Sequence, residues 1–255
     1  MEMISQNESS YGLLLLDKPR GKTSFHMVAT LRRLLGVQKI GHAGTLDPFA
    51  TGVMVMLIGR TFTRLSDQFL CADKEYIAQV RLGVSTNTYD CEGVVTQESS
   101  LQPTPEQIDA ALAYFQGEIE QIPPMFSAKK QQGKKLYELA RQGKEVERQP
   151  VKIKLVTRLL SYEYPFVNIA VSCSKGTYIR SIAHDFGLML GCGGHLTSLQ
   201  RTRSGCFHLN DCFDGTLLQS PTLDMISLRA HILNSLNLET AYGDILQFRP
   251  PSRAC

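Results

Sequence analysis

Over eighteen residues this chain passes from its most turn-rich stretch to its most apolar one. Gly41-His42-Ala43-Gly44-Thr45-Leu46-Asp47-Pro48-Phe49-Ala50-Thr51-Gly52 carries three glycines, one acid and one histidine, and Val53 to Ile58 follows without a polar residue. Glycine allows positive φ and close approach by another backbone. Pro48 pushes Asp47 out of the helical region toward an extended conformation. The apolar run, bounded by these turn formers, reads as a buried strand. The expected product is a shaped loop that presents one carboxylate at the mouth of that strand. Such a carboxylate suits a nucleophile or a general base. The Asp-Pro pair alone also reads as an ordinary turn opener.

Around this loop the chain alternates between strand and helix signals without a regular βαβ rhythm. Gly12 to Asp17 reads as a short buried strand. Thr23 reads as an N-cap, with Met27, Val28, Leu31, Leu34 and Leu35 at helical spacing and Gly36 as a stop. Tyr76, Ala78, Val80 and Leu82 alternate with more polar neighbours, the pattern of a half-exposed strand. Pro105 to Phe115 predicts a helix. Val151 to Leu159 and Val167 to Val171 predict strands, and Ile179 to Leu190 predicts a helix. The fold class that follows is mixed α/β (α+β), with a mostly antiparallel sheet and flanking helices. Further on, Leu223 to Leu238 predicts one amphipathic helix, and Phe248 to Cys255 reads as a loose tail.

Composition excludes several function classes. The chain has 255 residues, 43% of them hydrophobic and 20% charged, the profile of an ordinary globular protein. No apolar run approaches the roughly 20 residues of a membrane span. Met1 to Ser10 shows no basic region followed by an apolar one, so no secretory signal is expected. The seven cysteines include no C-x-x-C pair and fit free thiols in a reducing cytoplasm. His184, His195 and His208 are too widely spaced for a helix-borne metal site, so no metal is predicted. The net charge of +3 is unevenly placed: Ala128 to Arg158 holds ten Lys/Arg against three Glu, and the remaining residues sum to −4. A concentrated basic segment on a mildly acidic body points to a polyanionic partner, although a solvated lysine-rich hairpin has the same composition.

Several segments, in order, resemble the pseudouridine synthases that act on uridine 55 in the T loop of tRNA, the bacterial pseudouridine synthase B family. They are Asp17 to Ser24, Gly41 to Gly52, Lys74-Glu75-Tyr76, Pro123 to Ala128, Gly133 to Tyr137, Ser174 to Arg180, and Gly191 to Arg201. The resemblance covers roughly Tyr11 to Phe207. It implies the pseudouridine synthase fold with a central cleft, a catalytic domain over 11–207, and an RNA-binding insertion over 126–148. It also implies the reaction: the N1–C1′ bond of a flipped-out uridine breaks, the uracil turns, and C5 bonds to C1′.

By the same resemblance Asp47 is the catalytic nucleophile, attacking either C6 or C1′. Burial alone would neutralise that carboxylate, and Arg180 is the cation expected to offset the penalty. Tyr76 is the active-site tyrosine that stacks on the uracil and takes part in proton removal from C5. Tyr178 and Leu199 line the same pocket, and His42 contacts the flipped region. Lys18 and Pro19, in a rigid basic turn before the helix, are expected to meet phosphate. Lys129, Lys130, Lys134 and Lys135 of the insertion are expected to contact the T-arm backbone. No cofactor is implied, and a monomer is expected. Family members commonly end in a PUA domain that grips the acceptor stem. Residues 208–255 hold three Lys/Arg against five Asp/Glu, so a truncated or absent PUA domain is expected.

Three other readings compete. Gly21-Lys22-Thr23 imitates the end of a phosphate-binding P-loop, but Leu16 stands where that motif needs glycine. The same chemistry on another RNA, or a tRNA-folding chaperone without chemistry, would use much of the same surface.

Overall fold

The computed structural model describes residues 11–127, 129–131 and 133–243. The first part of the chain forms β1 (Gly12–Lys18), α1 (Ser24–Leu35), β2 (Ile40–Ala43), β3 (Thr51–Ile58), α2 (Arg60–Thr63) and α3 (Ser66–Leu70). The middle forms β4 (Lys74–Leu82), β5 (Val84–Thr86), β6 (Val95–Glu98), α4 (Pro105–Tyr114) and β7 (Gln116–Gln121). It continues through β8 (Lys130–Gln131), β9 (Lys134–Lys135), α5 (Leu136–Ala140), β10 (Val151–Glu163), β11 (Phe166–Cys173) and α6 (Ile179–Met189). The last part holds β12 (Gly194–Ser204), β13 (Phe207–His208), β14 (Phe213–Asp214), α7 (Met225–Ala230), β15 (Ile232–Leu233) and α8 (Ser235–Tyr242).

These elements form two compact units, one from the residues up to Lys74 together with those from Gln200 onward, the other from Glu75–Leu199. In the first unit β3 pairs antiparallel with β1, Leu13 facing Leu57 and Leu15 facing Val55. β2 adds antiparallel to β3, and the Gln200–Arg201 part of β12 pairs parallel with it. The run Val53 to Ile58 is apolar throughout because both faces of β3 are buried. Met54, Met56 and Ile58 pack with Leu14, Leu16 and the Met27, Val28 and Leu31 face of α1. Val53, Val55 and Leu57 pack on the other side with Leu13, Leu15, Phe62 and Phe207. Each such side chain contributes about 1.5–3 kcal/mol by leaving water. Helix α1 starts and stops where its sequence predicts: Thr23 accepts from the His26 N–H, and Gly36 ends it in the left-handed region at φ 68°.

The residues after Phe207 join this core. Phe213, Leu218, Leu228 and Ile232 complete one face, and Phe207 and Leu238 the other. The single helix expected over Leu223 to Leu238 is two helices, α7 and α8, with β15 between them. Ile232 and Leu233 pair with Leu14 and Leu13 of β1, and the Asn234 side chain then caps a new helix. Edge pairing and a fresh cap outweigh helical periodicity there. The tail from Phe248 lies outside the described residues.

In the second unit the strand order is β12-β4-β11-β10-β7. β10 pairs antiparallel with both β11 and β7. β4 buries Tyr76, Ala78, Val80 and Leu82 and exposes Ile77 and Arg81, as its alternation predicts. Helix α4 opens with a capping box, Thr104 and Gln107 each bonding the other's backbone. It packs beside α6, with the Phe115 and Phe186 rings edge to face at 6.2 Å.

Candidate active site

In the first unit the loop after β2 is held from several directions. Asp47 is half-buried, between buried Leu46 and the buried pair Phe49 and Ala50. A turn closes on it, the Ala50 N–H donating to the Asp47 carbonyl at 3.1 Å. Ser24, the first residue of α1, grips the preceding residue twice. Its hydroxyl accepts from the Leu46 N–H at 2.9 Å and donates to the Leu46 carbonyl at 3.0 Å. The following carbonyl, that of Pro48, accepts from the Gly21 N–H at 2.8 Å and from the Lys18 ammonium at 3.3 Å. At the far end, the Gly52 N–H donates to the Asp17 carboxylate at 3.0 Å.

Beneath the loop lies Arg201, only 1% exposed. Its Nε donates to the Val53 carbonyl at 2.7 Å and its Nη2 to the Gly44 carbonyl at 3.1 Å. This approach explains two of the glycines. Gly52 sits at φ +102°, and a Cβ there would lie 2.2 Å from the Arg201 carbonyl oxygen. Gly44 sits at φ +101°, where a Cβ would meet the Arg201 guanidinium at 3.3 Å. Only glycine fits the first position, and only strain would admit another residue at the second.

Lys18 corrects the sequence reading. It is expected at RNA phosphate, yet it is 0% exposed and lies within the protein. Its ammonium donates to the carbonyls of Lys22 at 2.6 Å, Pro19 at 2.9 Å and Pro48 at 3.3 Å. A buried charge costs several kcal/mol unless such partners surround it, and here it ties the turn after β1 to the Asp47 loop. Pro19 is half-buried in that turn, and Arg20 beyond it is exposed.

His42 lies in β2, five residues before Asp47. It is half-buried, and its Nδ1 has no hydrogen-bond partner among the described residues. Burial, and then the charge of Arg201, push its pKa below the usual histidine value, so the ring is neutral at pH 7.

The second unit holds Tyr76, Tyr178, Arg180 and Leu199. Tyr76 and Leu199 are buried on β4 and β12. Arg180, in the first turn of α6, is 5% exposed. Its guanidinium donates to the Thr88 carbonyl at 3.0 Å and the Phe126 carbonyl at 2.8 Å, and pairs with the Asp90 carboxylate at 3.4 Å. Tyr178 precedes α6, and the Gln121 amide clasps its backbone. That amide accepts from the Tyr178 N–H at 2.8 Å and donates to the Tyr178 carbonyl at 3.0 Å. The Ser181 hydroxyl donates to the Ile122 carbonyl at 3.0 Å. Lys129 and Lys134 are exposed; the side chains of Lys130 and Lys135 lie outside the described residues.

Four residues that sequence reasoning gave no role are central to this arrangement: Ser24, Asp90, Gln121 and Arg201. Ser24 reads locally as an ordinary helix start. Arg201 ends a segment that carries the family resemblance, but no local signal says that it reaches carbonyls far back in the sequence. Among the described residues no group of three or more His, Cys, Asp or Glu is arranged to hold a metal, and no helix is long and apolar enough to cross a membrane.

Residues 32–179 match the family described as TruB family pseudouridylate synthase (N terminal domain). The chain belongs to the TruB family. Residues 180–235 match the family's tRNA pseudouridylate synthase B C-terminal domain. The chain is 67% identical over 211 residues to the tRNA pseudouridine synthase B of Protochlamydia amoebophila, spanning 83% of this chain and 80% of that one. It is 56% identical over 243 residues to the enzyme of the same name from Chlamydia trachomatis serovar L2, spanning 95% and 97%. A solved Cbf5-Nop10-Gar1 complex contains a chain of similar fold, with a TM-score of 0.67 and 29% identity. That likeness covers 88% of this chain and 60% of the solved one. An H/ACA RNP bound to a substrate RNA gives 0.63 and 28% identity, over 85% and 55%. This member of the TruB family is an isomerase that converts uridine to pseudouridine in tRNA.

Proposed function

We propose that the uridine is number 55 of the T loop and that Asp47 is the nucleophile. The observation that carries this reading is the loop itself. Buried Lys18, Ser24 and Arg201, with half-buried Asp17, all bond the backbone within a few residues of Asp47, which fixes the loop that carries this carboxylate more firmly than a turn requires. Such preorganisation is what a group needs if it is to attack without reorganising during the reaction.

Before attack, the base must leave the folded loop, at a cost of a few kcal/mol. Neutral His42 offers ring nitrogens to the vacated region. Tyr76 stacks on the uracil and takes part in proton removal from C5. Arg180 supplies the positive charge that keeps the nucleophile ionised, and Tyr178 and Leu199 line the pocket. Asp47 adds to C6 or to C1′; in either case N1–C1′ breaks, C5–C1′ forms, the proton lost from C5 is balanced by one gained at N1, and the carboxylate is released unchanged.

Residues 11–207 serve as the catalytic domain. The insertion 126–148 binds the T-arm backbone through Lys129, Lys130, Lys134 and Lys135. The enzyme works as a monomer in the cytoplasm without cofactor or metal.

The test is conversion of an unmodified tRNA transcript, mapped by position, by the wild type and by Asp47→Asn. Conversion at uridine 55 by the wild type is expected, falling at least about 10³-fold in the variant while tRNA binding persists. Conversion at another position overturns the site assignment. An active Asp47→Asn overturns the nucleophile.

A further inference from the structure

Among the described residues, Tyr89 is the one non-glycine residue with positive φ, at 65°. A bulky side chain in the left-handed region is strained and persists only where its surroundings hold it there. The chain keeps this conformation between two of the groups that bind Arg180. Thr88 gives its carbonyl and Asp90 its carboxylate. The turn also aims the Tyr89 ring at α6, where it lies flat on the His184 ring, centroids 3.8 Å apart and planes 9° from parallel. His184 stands one helical turn beyond Arg180, on the same face of the helix. The stack therefore joins the middle of the Arg180-binding loop to the helix that carries Arg180.

The remaining bonds of the loop suit the same task. The Asp90 carboxylate accepts from the Thr88 hydroxyl at 2.6 Å and from the Glu92 N–H at 3.0 Å. The Tyr89 carbonyl accepts from the Leu196 N–H at 3.0 Å. These bonds set the shape of the loop, but none reaches α6. The flat packing on His184 does. The His184 Nδ1 is buried and has no hydrogen-bond partner among the described residues, so no hydrogen bond at that nitrogen explains why an imidazole stands there. Burial also pushes its pKa below the usual value, which keeps the ring neutral.

We propose that the Tyr89–His184 stack is a positioning device for Arg180, pressing the 86–92 loop against α6 so that Thr88 and Asp90 hold the guanidinium in one orientation. Neither ring touches substrate. The inference rests on the reading that Arg180 serves the reaction.

The experiment compares Tyr89→Gly, His184→Ala, His184→Phe and Arg180→Ala in single-turnover and steady-state assays on tRNA. Tyr89→Gly removes the ring and also relieves the positive φ, so its backbone is not the weak point. His184→Phe keeps a flat ring and discards both nitrogens. The expected result is a fall in kcat of about 10-fold to 100-fold for Tyr89→Gly and His184→Ala, the scale of a small misplacement, with KM for tRNA within about twofold. His184→Phe should restore most of the rate. The double variant Tyr89→Gly/His184→Ala should be no slower than either single variant. A His184→Phe enzyme as slow as His184→Ala, or ring-deleted enzymes with wild-type kcat, overturns the inference. Either side of the stack decides alone if a variant on the other side does not fold. An Arg180→Ala enzyme with wild-type turnover overturns the underlying reading instead; a slow Arg180→Ala beside fast ring variants overturns the positioning role only.

Discussion

Two regions of this enzyme handle charge in opposite ways. The Asp47 loop is surrounded by buried polar groups. Lys18 at 0% and Arg201 at 1% exposure spend their donors on backbone carbonyls, and the loop's irregular backbone is bonded almost residue by residue. The insertion 126–148 is richer in lysine, and its described lysine side chains face water. Arg148 donates to the Pro123 carbonyl at 3.2 Å and Gln131 to the Glu147 carbonyl at 2.9 Å, while Lys129 and Lys134 stand in solvent. The difference teaches how one residue type serves two ends. A cation without water is an internal brace and fixes geometry to fractions of an ångström. A cation in water adds binding energy to any polyanion within reach and fixes very little.

The largest expected break in that comparison comes from Arg201→Met. Two carbonyls under the loop lose their donor, and stability should fall by about 2–4 kcal/mol, read as a drop in Tm. Turnover of the folded fraction should fall with it, because Gly44 and Val53 are no longer fixed. Lys18→Met removes one donor from three carbonyls and should cost about 1–3 kcal/mol with a similar loss of turnover. An unchanged Tm in either variant would show that the loop does not depend on its braces.

The exposed lysines should behave in the reverse manner. Lys129→Ala with Lys134→Ala should leave stability within about 0.5 kcal/mol of wild type. It should weaken tRNA binding about tenfold and flatten the plot of log affinity against log salt by about one for each phosphate that is no longer neutralised. A fall in stability, or an unaltered salt slope, would remove the contrast.

The smallest effect is a pH dependence confined to the braced region. The folded state holds His42 below its ordinary pKa of 6.5. Its contribution to stability is therefore complete above about pH 6.5 and declines as pH falls below that value. In Arg201→Met one of the two causes of the shift is gone. The His42 titration, followed by NMR, should move upward, and the acid-side decline should shrink. No such change is expected from the lysine variants.

Much of the fold was legible because its signals are local. Thr23 and Gly36 mark the ends of α1, Thr104 and Gln107 mark the start of α4, and the unbroken run from Val53 marks a strand buried on both faces. The reading failed where a distant partner decides the outcome. Leu223 to Leu238 has helical spacing, yet β1 takes Ile232 and Leu233 as a strand. Lys18 looks like a phosphate ligand in a basic turn until Pro48, thirty residues later, brings its carbonyl over it. Asp47 stood out by its loop and by family resemblance, whereas the residues that hold that loop did not. Ser24 and Arg201 act on backbone atoms, and a carbonyl carries no residue identity for a sequence pattern to display.

The pairing of β1 with β15 has a consequence for how the enzyme is made. Leu13 and Leu14 leave the ribosome well before Leu233 and Ile232, the residues that pair with them. The sheet that supports the Asp47 loop is completed only after that later strand has emerged. Until then β1 offers an open apolar edge, the kind of surface that invites pairing with other chains. Holding that edge apart during translation is therefore a demand this fold places on the cell's chaperones before any tRNA is modified.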